Sequence, residues 1–184
     1  RKGYDHLVIT GDLIDTANPA DWQVVRDALV RHGLFEIGRT TVIPGNHDLI
    51  GLEEELRFYH ALNPDDSGRK RRVQTRLQEF CKVFRPLMTE DSASDAGYPL
   101  VKVLSFGVIR VAFTAVSTVL PWSGSDNPLG ARGYVSPGSL EALVSKPVLD
   151  AVKGCFVIGL CHHAYRVYGT DALVDRPFDW TMQF

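Results

Sequence analysis

The sequence predicts a single α/β domain with helices packed on a mostly parallel sheet. Two patterns carry that expectation. Short apolar, β-branched runs alternate with helical periodicity in the first third of the chain, and three strand-like runs along its length end in clusters of Asp, Asn and His. The first pattern describes β-α units, in which a helix carries the chain back so that successive strands run parallel. The second describes the crevice beyond the carboxyl ends of strands in an open α/β sheet, where ligands bind. With 184 residues and 45% apolar content, the chain can fill one sizeable core and is too short for two.

Each element has a local reason. Residues 6–10, "HLVIT", read as a buried strand ended by Gly11. Asn18-Pro19 opens a helix, because Asn caps, Pro suits the first helical position and Asp21 complements the positive end of the dipole. Trp22, Val25 and Leu29 form its apolar face and Gly33 ends it. Residues 40–43, "TTVI", make a second buried strand, and residues 52–62 a second helix. Further on, "LVKVL" and "VIRVAFTAV" flank Ser105-Phe106-Gly107 as a hairpin, so the second half is richer in antiparallel strand. Residues 136–144 resemble a capped helix start, residues 155–163 a last buried strand ending in two histidines, and residues 121–138 a long loop rich in Gly, Pro and Ser.

Composition narrows the function classes. Twenty basic against 22 acidic residues leave a net charge of −2, which gives no global pull toward nucleic acid or anionic membranes. No apolar run approaches the ~18 to 20 residues of a membrane span, and "RKGYDHLVIT" lacks the apolar core and cleavage site of a signal peptide. Cys81, Cys155 and Cys161 are odd in number and form no C-x-x-C pair, which argues against a disulfide framework or thiolate zinc site; a reducing cytoplasm is the expected location.

The strand ends carry the chemistry. They are Gly11-Asp12 through Asp15, Gly45 through Asp48, and His162-His163. Carboxylate, amide oxygen and imidazole together suit manganese, iron or zinc in mixed N/O coordination. Glycine before Asp12 and before Asn46 fits a strand that turns sharply into a ligand loop. Taken singly, the aspartates read as turn and cap residues and the histidines as either structural residues or ligands. Their joint order at successive strand ends is what points to a site.

At these residues the sequence resembles the calcineurin-like metallophosphoesterases, whose successive signatures are D-x-H, G-D-x-x-D, G-N-H-[DE], a strand-end His often followed by His-Pro, and G-H-x-H. "GDLID" (11–15) matches the second, "GNHD" (45–48) the third, and "CHHAY" (161–165) part of the fourth. The resemblance covers residues 4 to 163. It implies a four-layer α/β/β/α sandwich, two sheets flanked by helices, with two divalent metal ions (Mn, Fe or Zn) at the strand ends. It further implies that Asp12 bridges both ions and that Asn46 and His162 bind the second. His47 would be the proton donor or transition-state stabiliser beside the phosphoester substrate, held in orientation by Asp48. Asp15 would fix loop geometry, and His163 would contact substrate or close the strand.

Two signatures are missing: no D-x-H precedes "GDLID" and no G-H-x-H follows "CHHAY". The expectation is therefore one metallophosphoesterase domain over residues 1–184, incomplete at both ends, since the chain starts at Arg1 without Met and stops near "DWTMQF". The leading reading is hydrolysis of a phosphodiester or small phosphomonoester. A non-catalytic, protein-binding member of the same fold and a nucleic-acid exonuclease are the alternatives. The run Arg69-Lys70-Arg71-Arg72 precedes a helical stripe of Val73, Leu77, Phe80 and Phe84, so it reads as a solvated flank, with a lid or substrate arm as the minority reading.

Overall fold

The structure is a computed structural model that describes residues 3–60, 65–90, 97–119, 130 and 133–163. It is a mixed α/β fold with two sheets. The first holds β1 (Leu7–Ile9) and β2 (Thr40–Val42) in parallel, with Leu7 opposite Thr40 and Ile9 opposite Val42. Helix α1 (Pro19–Arg31) connects them. Asn18 caps it by accepting from the Ala20 N–H at 3.0 Å, and Pro19 takes the first position, where no N–H is needed. Gly33, at φ +64°, closes the helix, and the Leu34 N–H returns to Leu29 O at 2.8 Å.

β2 is buried along its length, but β1 is only partly so, with Val8 36% exposed. The fully buried strand expected at residues 6–10 is thus corrected. Among the described residues β2 is its one strand partner, and one face of β1 is left half open.

After β2 come the short helix α2 (Asn46–Leu49), α3 (Leu52–His60) and the long α4 (Asp66–Phe84), which runs into a 3-10 turn at Arg85–Leu87. Residues 61–62 of the second expected helix lie outside the described residues. The apolar stripe on α4 is as expected: Val73, Phe80 and Phe84 are buried and Leu77 packs against them. Trp22 of α1, fully buried, meets Phe80 edge-on at 5.7 Å between centroids. The solvated flank needs one correction, because Arg69 is buried while Lys70, Arg71 and Arg72 are exposed. Arg72 and Arg76 both pair with Glu54 of α3, and Arg76 Nη1 also donates to Leu49 O at 3.2 Å, which ties α4 to the end of α2.

The second sheet pairs β3 (Leu100–Phe106) antiparallel with β4 (Ile109–Ala115) across a two-residue turn whose first residue, Gly107, has φ +61°. Helices α5 (Pro137–Leu143) and α6 (Lys146–Val152) then lead to β5 (Phe156–Leu160), parallel to β4. β5 was expected to be buried throughout. Instead Phe156 is 67% exposed, Ile158 packs partly buried against the core and Leu160 alone of the strand is buried.

Both sheets feed one apolar core that includes Trp22, Val42, Phe80, Phe84, Phe113 and Leu160. Lys102 crosses it from β3. Its Nζ donates to the carbonyls of Ile37 (3.1 Å), Thr40 (2.7 Å) and Leu87 (2.9 Å), so one ammonium satisfies three carbonyls near the start of β2 and the 3-10 turn. Burial pushes its pKa down to about 8. Among the described residues no helix is long and apolar enough to cross a membrane.

Candidate metal centre

The carboxyl ends of β1, β2 and β5 meet. Two left-handed residues make the first turn tight: Gly11 at φ +106° and Asp12 at φ +53°, a conformation that Asp tolerates better than most. The loop after β2 packs directly against this turn. A Cβ on Gly11 would sit 2.6 Å from Gly45 N and would strike the His162 ring, and one on Gly45 would strike the Asp12 carboxylate. Each loop therefore needs the other's glycine for the polar side chains to come together.

His162 sits two residues beyond β5, and its Nδ1 lies 2.7 Å from Thr10 O. A carbonyl only accepts, so Nδ1 carries the proton and Nε2 is the atom turned toward the other loops. There it stands 2.9 Å from Asn46 Oδ1 and 3.4 Å from Asp12 Oδ2. Asp12 Oδ1 accepts the His47 backbone N–H at 3.1 Å. Asp12, Asn46 and His162, at least 34 residues apart in sequence, thus bring one carboxylate, one amide oxygen and one imidazole nitrogen to a common point. Such a donor set could hold one divalent cation in mixed N/O coordination. Among the described residues no group of three or more His, Cys, Asp and Glu is arranged to hold a metal ion, so this set depends on the Asn46 amide for its third donor.

The contacts of the two remaining carboxylates are the reverse of those the resemblance implied. Asp48 is fully buried and accepts the Gly45 N–H at 2.8 Å and the Ile14 N–H at 3.1 Å, pinning the second loop to the first. Burial outweighs these bonds and raises its pKa to about 6. It does not hold His47. That contact belongs to Asp15, whose Oδ1 lies 2.6 Å from His47 Nδ1. The physical reason is the turn at Gly11-Asp12, which carries Asp15 out to the exposed side of His47, whereas Asp48 lies inside the next short helix and points back to its own N-terminus.

His163 is engaged at both ring nitrogens. Its Nδ1 is 2.7 Å from Thr118 Oγ1 and its Nε2 is 2.7 Å from Gly130 O, so the ring fastens a distant loop. Burial lowers its pKa, the Gly130 bond opposing. Sequence reasoning missed Thr10, Thr118 and Gly130, since two of them act through main-chain carbonyls, which have no residue signature. Of the loop at 121–138, residues 121–129, 131 and 132 lie outside the described residues, as does Tyr165 of "CHHAY".

The sequence profile of calcineurin-like phosphoesterases matches residues 1–159, ending just before the strand-end histidines. No curated protein matches the chain. The profile spans the turns that carry Asp12 and Asn46, and the geometry adds His162 to them; members of the matched family hydrolyse phosphoesters and typically bind divalent metals. On that match the chain belongs to the calcineurin-like phosphoesterase family.

Proposed function

We propose that this protein is a metal-dependent hydrolase of phosphodiesters or small phosphomonoesters, that residues 1–184 belong to one domain of it, and that it works with two divalent cations (Mn, Fe or Zn). The observation that carries the reading is the convergence of Asp12, Asn46 and His162 on one point beside His47. Asp12, Asn46 and His162 would hold one cation, and Asp12 would be shared with the other. When bound, the ions supply Lewis-acid activation of water and neutralise charge on the phosphoryl oxygens.

The chain's own residues supply the rest. His162 is kept in its Nδ1–H form by Thr10 O, which leaves Nε2 as the electron-pair donor. Asp15 holds His47 through Nδ1, so in the protonated ring Nε2–H is the group that gives its proton to the leaving oxygen. Asp48 keeps the two loops in register. The unpaired Cys81, Cys155 and Cys161 support a reducing, cytoplasmic setting.

The test is hydrolysis of aryl phosphomonoesters and phosphodiesters with added manganese, comparing wild type with Asp12→Asn and His47→Ala. Loss of turnover in both variants is expected, and unchanged rates would refute the assigned roles. A wild-type protein that binds manganese and hydrolyses neither ester would favour a non-catalytic binder instead, and a strong preference for DNA would favour an exonuclease.

A further inference from the structure

The single turn α2 carries Asn46 and His47, so what holds that turn sets where the Asn46 amide stands. Its first end is tied to the loop after β1, through Asp48 and through the His47 N–H that donates to Asp12. Its last residue, Leu49, is fully buried, and because the helix stops there the Leu49 carbonyl has no N–H within α2 to accept from. Arg76 of α4 supplies one, its Nη1 donating to Leu49 O at 3.2 Å. The Ile50 N–H donates to Asn46 O at 2.8 Å, so the end that Arg76 holds and the end that carries Asn46 are joined across one turn.

Arg76 is itself held in place. Val73 and Phe80, three residues before it and four after, are buried on the face of α4 that packs on the core, and this spacing puts Arg76 on the same face. Phe80 meets Trp22 of α1, so the helix that carries Arg76 is fixed independently of the site. Arg76 Nη1 also lies 2.6 Å from Glu54 Oε2, and the other oxygen of that carboxylate pairs with Arg72. Glu54 of α3 thus orients the guanidinium that serves Leu49 O.

We propose that Arg76, oriented by Glu54, is a positioning residue that fixes α2 from its C-terminal end and so sets how tightly Asp12, Asn46 and His162 hold a divalent cation. This rests on the metal-dependent reading above. The Asn46 amide oxygen is a neutral donor, so it adds to affinity by its placement and not by charge, and a turn tied at one end only leaves it poorly placed. Placement and charge predict opposite signs for the loss of Arg76. By charge alone, removing a guanidinium near the site favours a bound cation, whereas loss of the tie weakens it.

The experiment titrates the full chain with manganese and reads the unbound ion by electron paramagnetic resonance. It compares wild type with Arg76→Met, Arg76→Lys, Glu54→Gln, the double variant Arg76→Met with Glu54→Gln, and Arg71→Met, an exposed arginine of the same helix. Arg76→Met should weaken binding by about tenfold and Glu54→Gln by about threefold. The double variant should lose no more than Arg76→Met alone, since Glu54 acts through Arg76. Arg76→Lys keeps the charge without the fork and should recover part of the loss, while Arg71→Met should stay within about twofold of wild type. Unchanged or tighter binding in Arg76→Met, or a double variant restored to wild type as cancelling charges would give, would overturn the proposal. Should Arg76→Met fail to fold, Arg76→Lys carries the test, and binding equal to wild type would overturn it. Exchange of the Ile50 amide reads the tie without metal: Arg76→Met should speed it by about tenfold, and an equal rise at Leu29 of α1 would mark a general loss of folding and count against the proposal. If the wild-type protein takes up no manganese, the metal-dependent reading falls by itself; unchanged Ile50 exchange in Arg76→Met would then overturn the tie.

Discussion

Around Asp12, Asn46 and His162 the side chains are held by directed polar contacts, whereas between α1 and α4 Trp22, Phe80 and Phe84 are held by rings packed against one another and against apolar neighbours. In the core, volume is what matters, and the cost of a change grows with the cavity it leaves. At the strand ends a single atom matters. Exchanging one carboxylate oxygen for an amide nitrogen keeps the volume and alters the chemistry. The two regions should therefore respond to substitution in different observables, one in stability and the other in turnover.

The largest effects should separate them cleanly. His47→Ala is expected to lower kcat by about 10² to 10⁴-fold, with a melting temperature close to wild type, as steady-state kinetics and thermal denaturation on the same sample would show. Trp22→Ala should do the reverse. It should cost about 3 to 5 kcal/mol in urea denaturation, while the fraction that remains folded turns over at the wild-type rate.

Lys102 sharpens the contrast, because it is a polar atom placed inside the volume-governed region. Its folded pKa of about 8 lies below the value of 10.5 for a free lysine, so between these pH values the folded protein binds fewer protons than the unfolded chain. Stability from this group is therefore least below pH 8 and grows as pH rises toward 10.5. The unfolding free energy of wild type relative to Lys102→Met should rise by about 3 kcal/mol across that window. A gap that stays constant with pH would mean that the three carbonyls hold the ammonium at no net cost.

The smallest expected effect lies within the site. Asp15→Asn should reduce kcat by about tenfold without loosening the loops, since among the described residues the Asp15 carboxylate engages His47 and no other partner. Asp48→Asn should destabilise the protein, because an amide oxygen can serve only one of the Gly45 and Ile14 N–H groups well. The reverse outcome, with Asp48→Asn silent on stability, would return the orienting role to Asp48.

The same contrast explains what was legible in the sequence. Periodicity and caps placed α1, the α4 stripe and the β3-β4 hairpin, because apolar spacing and Asn-Pro or Gly signals are local. Order along the chain placed Asp12, Asn46 and His162 at strand ends, and the structure brings them together. Burial of whole strands was misjudged for β1 and β5, since an apolar run does not say whether a neighbour covers it. The partners of Asp15, Asp48 and His163 were not legible either. They depend on a left-handed turn at Asp12 and on carbonyls of remote segments, and neither leaves a residue pattern.

The most direct test of the central claim is an anomalous-difference map from crystals grown with manganese. The account expects a peak within bonding distance of an Asp12 carboxylate oxygen, Asn46 Oδ1 and His162 Nε2 together. A manganese peak elsewhere, with none within bonding distance of His162 Nε2, would contradict it.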